Sequence, residues 1–69
     1  MSKFQENLFS LRKETGLSQK AMAEKLGFSF RSYRRYESGE TEPTLSALVR
    51  MADYFGLSLD DLSGRNERL

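Results

Sequence analysis

Glycines and hydroxyl residues punctuate this sequence in a repeating order: Gly16 then Ser18, Gly27 then Ser29, Gly39 then Thr44, Gly56 then Ser58. A glycine that stops one helix, followed shortly by a Ser or Thr that caps the next, predicts short helices joined by tight corners. The apolar spacing between these marks is helical throughout, and no stretch alternates as a strand. The expected fold is therefore all-α, with five helices. The first starts after Ser2, with Gln5 three residues on as a capping box; it buries Phe4, Leu8 and Leu11 and leaves Phe9 off that face. The second, Gln19 to Leu26, turns Met22, Ala23 and Leu26 inward. The third runs from the Ser29 cap to Ser38-Gly39. After the loop Glu40-Thr41-Glu42-Pro43, the fourth carries Leu45, Leu48, Val49, Ala52 and Phe55 on one face. Ser58 with Asp61 opens a short fifth helix that holds Leu59 and Leu62. Residues 65–69 lack periodicity and read as a fraying tail, so the folded domain is expected over residues 1–64.

Several functions are excluded at this level. A chain of 69 residues is at most one small domain with a thin core, burying about 60% of the surface that its unfolded form exposes. It contains no Cys and no His, which removes thiol chemistry, imidazole bases and a Cys/His zinc cluster. No nucleotide loop stands in the sequence, so neither a cofactor nor a small-molecule ligand is expected. Asp60-Asp61 reads as negative charge at a helix start, and nothing beside it supplies a nucleophile, an acid or a metal ligand; no enzyme is expected. No apolar run approaches the roughly 20 residues of a membrane span, and the first residues do not form a signal peptide. The expectation is a soluble cytoplasmic protein with no membrane partner.

The net charge of +1 hides an uneven distribution. From Arg12 to Tyr36 there are seven basic residues (Arg12, Lys13, Lys20, Lys25, Arg31, Arg34, Arg35) and two acidic ones (Glu14, Glu24), giving 7 − 2 = +5 and leaving 1 − 5 = −4 elsewhere. A polyanion would meet a local positive patch. Within that segment, two short helices pivot at Gly27, with Ala23 small where the next helix must cross. That is the layout of a helix-turn-helix. At about 100° per residue, Tyr33 and Tyr36 point one way while Arg31, Arg34 and Arg35 gather on the opposite side, with Phe30 beside them. Three guanidiniums on one face repel one another, and no Asp or Glu within residues 30–36 neutralises them. The pattern points to an anionic partner, and an arginine can bond bidentately to O6 and N7 of guanine. The competing reading is a solubilising surface, with Phe30 packed on a neighbouring helix.

The segments Leu11-Arg12, Gly16-Leu17-Ser18-Gln19, Ala23-Glu24-Lys25-Leu26-Gly27, Tyr36-Glu37-Ser38-Gly39 and Glu42-Pro43-Thr44-Leu45 resemble the Cro/repressor-type (lambda-repressor-like, XRE-type) helix-turn-helix transcription regulators. The resemblance runs from Leu8 to Leu62. It implies a compact five-helix DNA-binding domain, with helix two across the DNA backbone and helix three in the major groove, usually as a homodimer on a palindromic operator. Position by position, it implies that Phe30, Arg31, Arg34 and Arg35 read bases. It implies phosphate contacts from Gln19, Ser38, Ser18 and Arg12, and an ion pair between Arg12 and Glu37. A helix start with free N–H groups suits Gln19 to that role. The sequence departs from the family in three places. Phe30 replaces a polar residue at the first reading position, Glu40 and Glu42 stand where cations often grip phosphate, and Tyr33 and Tyr36 replace core aliphatics.

Double-stranded DNA is the leading partner, and a sequence-specific transcription regulator, a repressor, the leading function. A protein-binding module on the same fold, with the acidic half as its surface, is the alternative. Met51, Tyr54, Leu59 and Leu69 are the candidate homodimer patch.

Overall fold

The computed structural model describes residues 3–64 and contains five helices: α1 (Lys3–Thr15), α2 (Gln19–Leu26), α3 (Phe30–Ser38), α4 (Leu45–Phe55) and α5 (Leu59–Ser63). Each of the last four begins with the hydroxyl cap that the sequence places there. Ser18, Ser29, Thr44 and Ser58 hold extended backbone, and each side-chain oxygen accepts the N–H three residues on, from Ala21, Ser32, Ala47 and Asp61, at 3.0–3.1 Å. A cap of this kind is worth about 1 kcal/mol. At the pivot, Gly27 has φ 81° and closes α2 with its N–H on Glu24, while the Phe28 N–H reaches the Ala23 carbonyl. A side chain in that left-handed conformation would be strained.

The core draws on every helix: Phe4 and Leu8 from α1, Met22, Ala23 and Leu26 from α2, Tyr33 from α3, Ala47, Met51 and Ala52 from α4, and Leu62 from α5. Leu11, Leu17, Phe28, Tyr36, Leu48, Phe55 and Leu57 pack around it, half-buried. α2 lies against α3, α1 spans α3 and α5, and α4 supports α2 and α5. Gln5 sits on α1 and its amide donates to the Ser38 carbonyl at 3.3 Å, tying α1 to the end of α3. The Ser2 half of the expected capping box and the tail at residues 65–69 lie outside the described residues.

The fourth helix corrects the sequence reading. Leu45 is 69% exposed and Val49 40%, whereas Met51, expected on the outside, is fully buried. The buried face is turned by roughly 60° from the expected one, at about 100° per residue. Apolar residues fill more than half the circumference of α4. The positions of α2 and α5, not the local pattern, therefore select the arc that is covered. Leu59 is also at the surface, and α5 contributes only Leu62 to the core.

Candidate nucleic-acid interface

α3 is set by its inner face. Tyr33 is fully buried, and Tyr36 meets Phe28 edge to face with ring centroids 5.6 Å apart. The turn below is held by Arg50, whose guanidinium lies 5.7 Å from the Phe28 ring and donates to the Leu26 carbonyl at 3.2 Å. With that face fixed, Phe30, Arg31 and Arg34 are exposed and Arg35 half-exposed. All four expected base-reading residues, together with Ser38 and Glu40, line one open depression of about 520 Å³. The Arg34 guanidinium stacks 5.6 Å from the Phe30 ring. Among the described residues, Arg31 and Arg34 have no carboxylate partner. Arg35 leans toward Glu40, Nε to Oε1 3.9 Å, with both side chains largely open to water. An exposed contact this long is worth under about 1 kcal/mol and leaves Arg35 available.

Behind this surface sits a buried carboxylate. Glu37 Oε2 accepts from Arg12 Nε at 2.7 Å and from the Tyr33 hydroxyl at 2.6 Å; Oε1 accepts from Arg12 Nη2 at 3.1 Å and from the Gln19 amide at 2.9 Å. The Arg12 and Glu37 side chains are only 11% and 4% exposed. Burial alone would raise the Glu37 pKa, but the hydrogen bonds from Arg12, Tyr33 and Gln19 outweigh it and hold the carboxyl below its ordinary value. The Arg12 guanidinium is driven up by its bond to Glu37, against the opposing effect of burial. Burial, reinforced by the facing carboxylate, pushes the Tyr33 phenol far up.

The expected Arg12–Glu37 contact is thus bidentate and buried. Arg12 also donates to the Leu17 carbonyl at 2.9 Å, so three of its N–H groups are spent inside the chain. Gln19 gives one amide hydrogen to Glu37 and keeps a second. Ser18 is exposed at the start of α2, and the Ser38 hydroxyl bonds to the Arg35 carbonyl at 3.2 Å. Sequence reasoning missed the roles of Arg50, which holds the helix-turn-helix corner at the Leu26 carbonyl, and of Gln5, which ties α1 to the end of α3 at the Ser38 carbonyl. It also missed the Tyr33–Glu37 bond, although the spacing of four residues within one helix was a signal for it.

The family model described as helix-turn-helix matches residues 8–62. The chain belongs to that family. Over 63 residues this helix-turn-helix chain is 44% identical to the cryptic phage CTXphi transcriptional repressor RstR of Vibrio cholerae, covering 91% of this chain and 56% of the relative. It is 38% identical over 63 residues to the HTH-type transcriptional regulator AnsR of Bacillus subtilis, covering 91% and 54%. A crystal structure of a transcriptional regulator from Listeria innocua is similar across 100% of this chain and 64% of that one, with a TM-score of 0.86 and 42% identity. The chain spans about half the length of the curated relatives it matches. Among the described residues, no helix is long and apolar enough to cross a membrane.

Proposed function

We propose that this helix-turn-helix domain is a sequence-specific DNA-binding transcription regulator, a repressor, acting in the cytoplasm as a homodimer on a palindromic operator. The observation that carries this reading is the outward face of α3, where Arg31 and Arg34 stand exposed with no carboxylate partner among the described residues while Tyr33 anchors the opposite side. Such a helix enters the major groove with its arginines toward guanine edges. Ser18 and Gln19, at the start of α2, and Ser38, the last residue of α3, meet phosphates, Ser38 by turning its hydroxyl away from the Arg35 carbonyl; Arg12 supports them less directly, since Glu37 and Leu17 take three of its donors. A module of this size buries about 600–1,000 Å² against DNA, so a second copy supplies the remaining affinity, with half-sites about one duplex turn apart. Tyr54 and Leu59 remain on the surface as members of the dimer patch, whereas Met51, being buried, drops out of it; Leu69 lies outside the described residues. The named relatives, one of them a phage repressor, support the regulatory role.

Selection of bound duplexes from a random pool tests the proposal. The expected result is a two-fold symmetric motif whose affinity falls steeply with salt. Recovery of no motif, or binding to a protein partner that salt barely affects, would favour the protein-binding alternative.

A further inference from the structure

Phe30 is the first residue of α3 and is 43% exposed, beside Arg31, Arg34 and Arg35 on one surface depression. Arg34, one turn on, holds its guanidinium carbon 5.6 Å from the ring centroid. Resting on the DNA-binding reading above, we propose that Phe30 and Arg34 form one reading unit for a thymine and a guanine on neighbouring base pairs. In this unit the Phe30 ring meets the thymine C5-methyl group and holds the Arg34 fork toward O6 and N7 of the guanine.

Three considerations converge on this unit. The thymine methyl is the apolar group that the major-groove edge offers, so an exposed ring on a groove-facing helix has one complementary target there. Four residues of helix rise about 6 Å, just under two base-pair steps of about 3.4 Å, and the 5.6 Å approach of guanidinium to ring draws the two groups together, so they fall over neighbouring base pairs rather than the same one. A guanidinium resting on a ring loses rotamer freedom before binding, so less is lost when it forms the bidentate contact. Arg35 lacks this arrangement, because it is drawn toward Glu40 at 3.9 Å.

The test uses the duplex recovered by selection, with single thymines replaced by deoxyuridine, which removes only the methyl group, and single guanines by 7-deazaguanine, which removes the N7 acceptor. The protein is the unaltered chain alongside Phe30→Ala, Phe30→Leu and Arg34→Ala, each checked for an unchanged melting curve. One deoxyuridine in one half-site should weaken the unaltered chain about fourfold, the value of one buried methyl-sized group at about 0.8 kcal/mol. Phe30→Ala should not respond to it. Phe30→Leu should keep the methyl response but lose the coupling to Arg34. That coupling should appear as a two- to fivefold departure from additivity between Phe30→Ala and Arg34→Ala, about the strength of an exposed cation–π contact. If no deoxyuridine weakens the unaltered chain, or if Phe30→Ala responds as fully as the unaltered chain, the unit does not exist, although DNA binding stands. If no duplex is recovered at all, the DNA-binding reading fails and takes this inference with it.

Discussion

Glu37→Ala should be the most damaging single change outside the apolar core. The carboxylate is 4% exposed and accepts four hydrogen bonds, two from Arg12 and one each from Tyr33 and Gln19. Its removal strands a guanidinium that is itself 11% exposed and keeps only the Leu17 carbonyl. Breaking one side of a buried pair costs about 3–5 kcal/mol. Residual water access to Arg12 argues for the lower end, about 3 kcal/mol. A domain of this length has roughly 3.5–10 kcal/mol of stability in all, at about 0.05–0.15 kcal/mol per residue. The loss should therefore lower the melting temperature by about 12–24 °C. Urea denaturation followed by far-UV circular dichroism measures it directly. The companion is the triple change Arg12→Met, Tyr33→Phe and Glu37→Leu, which removes both charges and the buried phenol that Glu37 satisfies while keeping the volume; it should recover most of the loss, because neither a charge nor an unpaired hydroxyl is left buried. A single-variant cost below about 1 kcal/mol, the level of an exposed pair, would refute the claim that this contact is buried.

Acid and base should act on the same cluster in opposite senses. The Glu37 pKa is lower folded than unfolded, so its contribution is present above the ordinary carboxyl range and disappears as pH falls through the folded value; an acid melt in which Glu37→Gln shows the same pH slope as the unaltered chain would contradict this. The Tyr33 pKa is raised, so its contribution is complete below about pH 10 and declines as pH climbs past that point; Tyr33→Phe should flatten this alkaline decline. Met51→Ala should cost about 2–5 kcal/mol, whereas Leu45→Ser and Val49→Ser should stay within about 0.5 kcal/mol; the reverse ranking would restore the α4 face read from sequence. Arg31→Ala should cost about 1–3 kcal/mol of DNA affinity and relax one base position, while Gln19→Ala weakens all sequences alike; a selection logo that Arg31→Ala and Arg34→Ala both leave unchanged would remove α3 from the groove.

The limits of the helices were decided within a few residues of sequence. Ser18, Ser29, Thr44 and Ser58 bond to N–H groups three positions away, and the stop at Gly27 depends on its own φ angle. Neither needs a distant partner, so both were legible before any coordinates. The outward arginines of α3 were legible for a related reason: Tyr33 and Tyr36 leave a narrow apolar stripe, and its opposite side follows from helix geometry alone. On α4 the apolar residues cover too wide an arc for periodicity to select a face. Only the placement of the neighbouring helices put Met51 inside and Leu45 outside. The surroundings of Glu37 were likewise tertiary. Sequence resemblance suggested Arg12 as its partner, but the convergence of Gln19 and the burial of the Arg12–Glu37 contact required α1, α2 and α3 to meet. Contacts spanning 18 and 25 residues have no local signal, because chain packing rather than backbone periodicity brings their ends together.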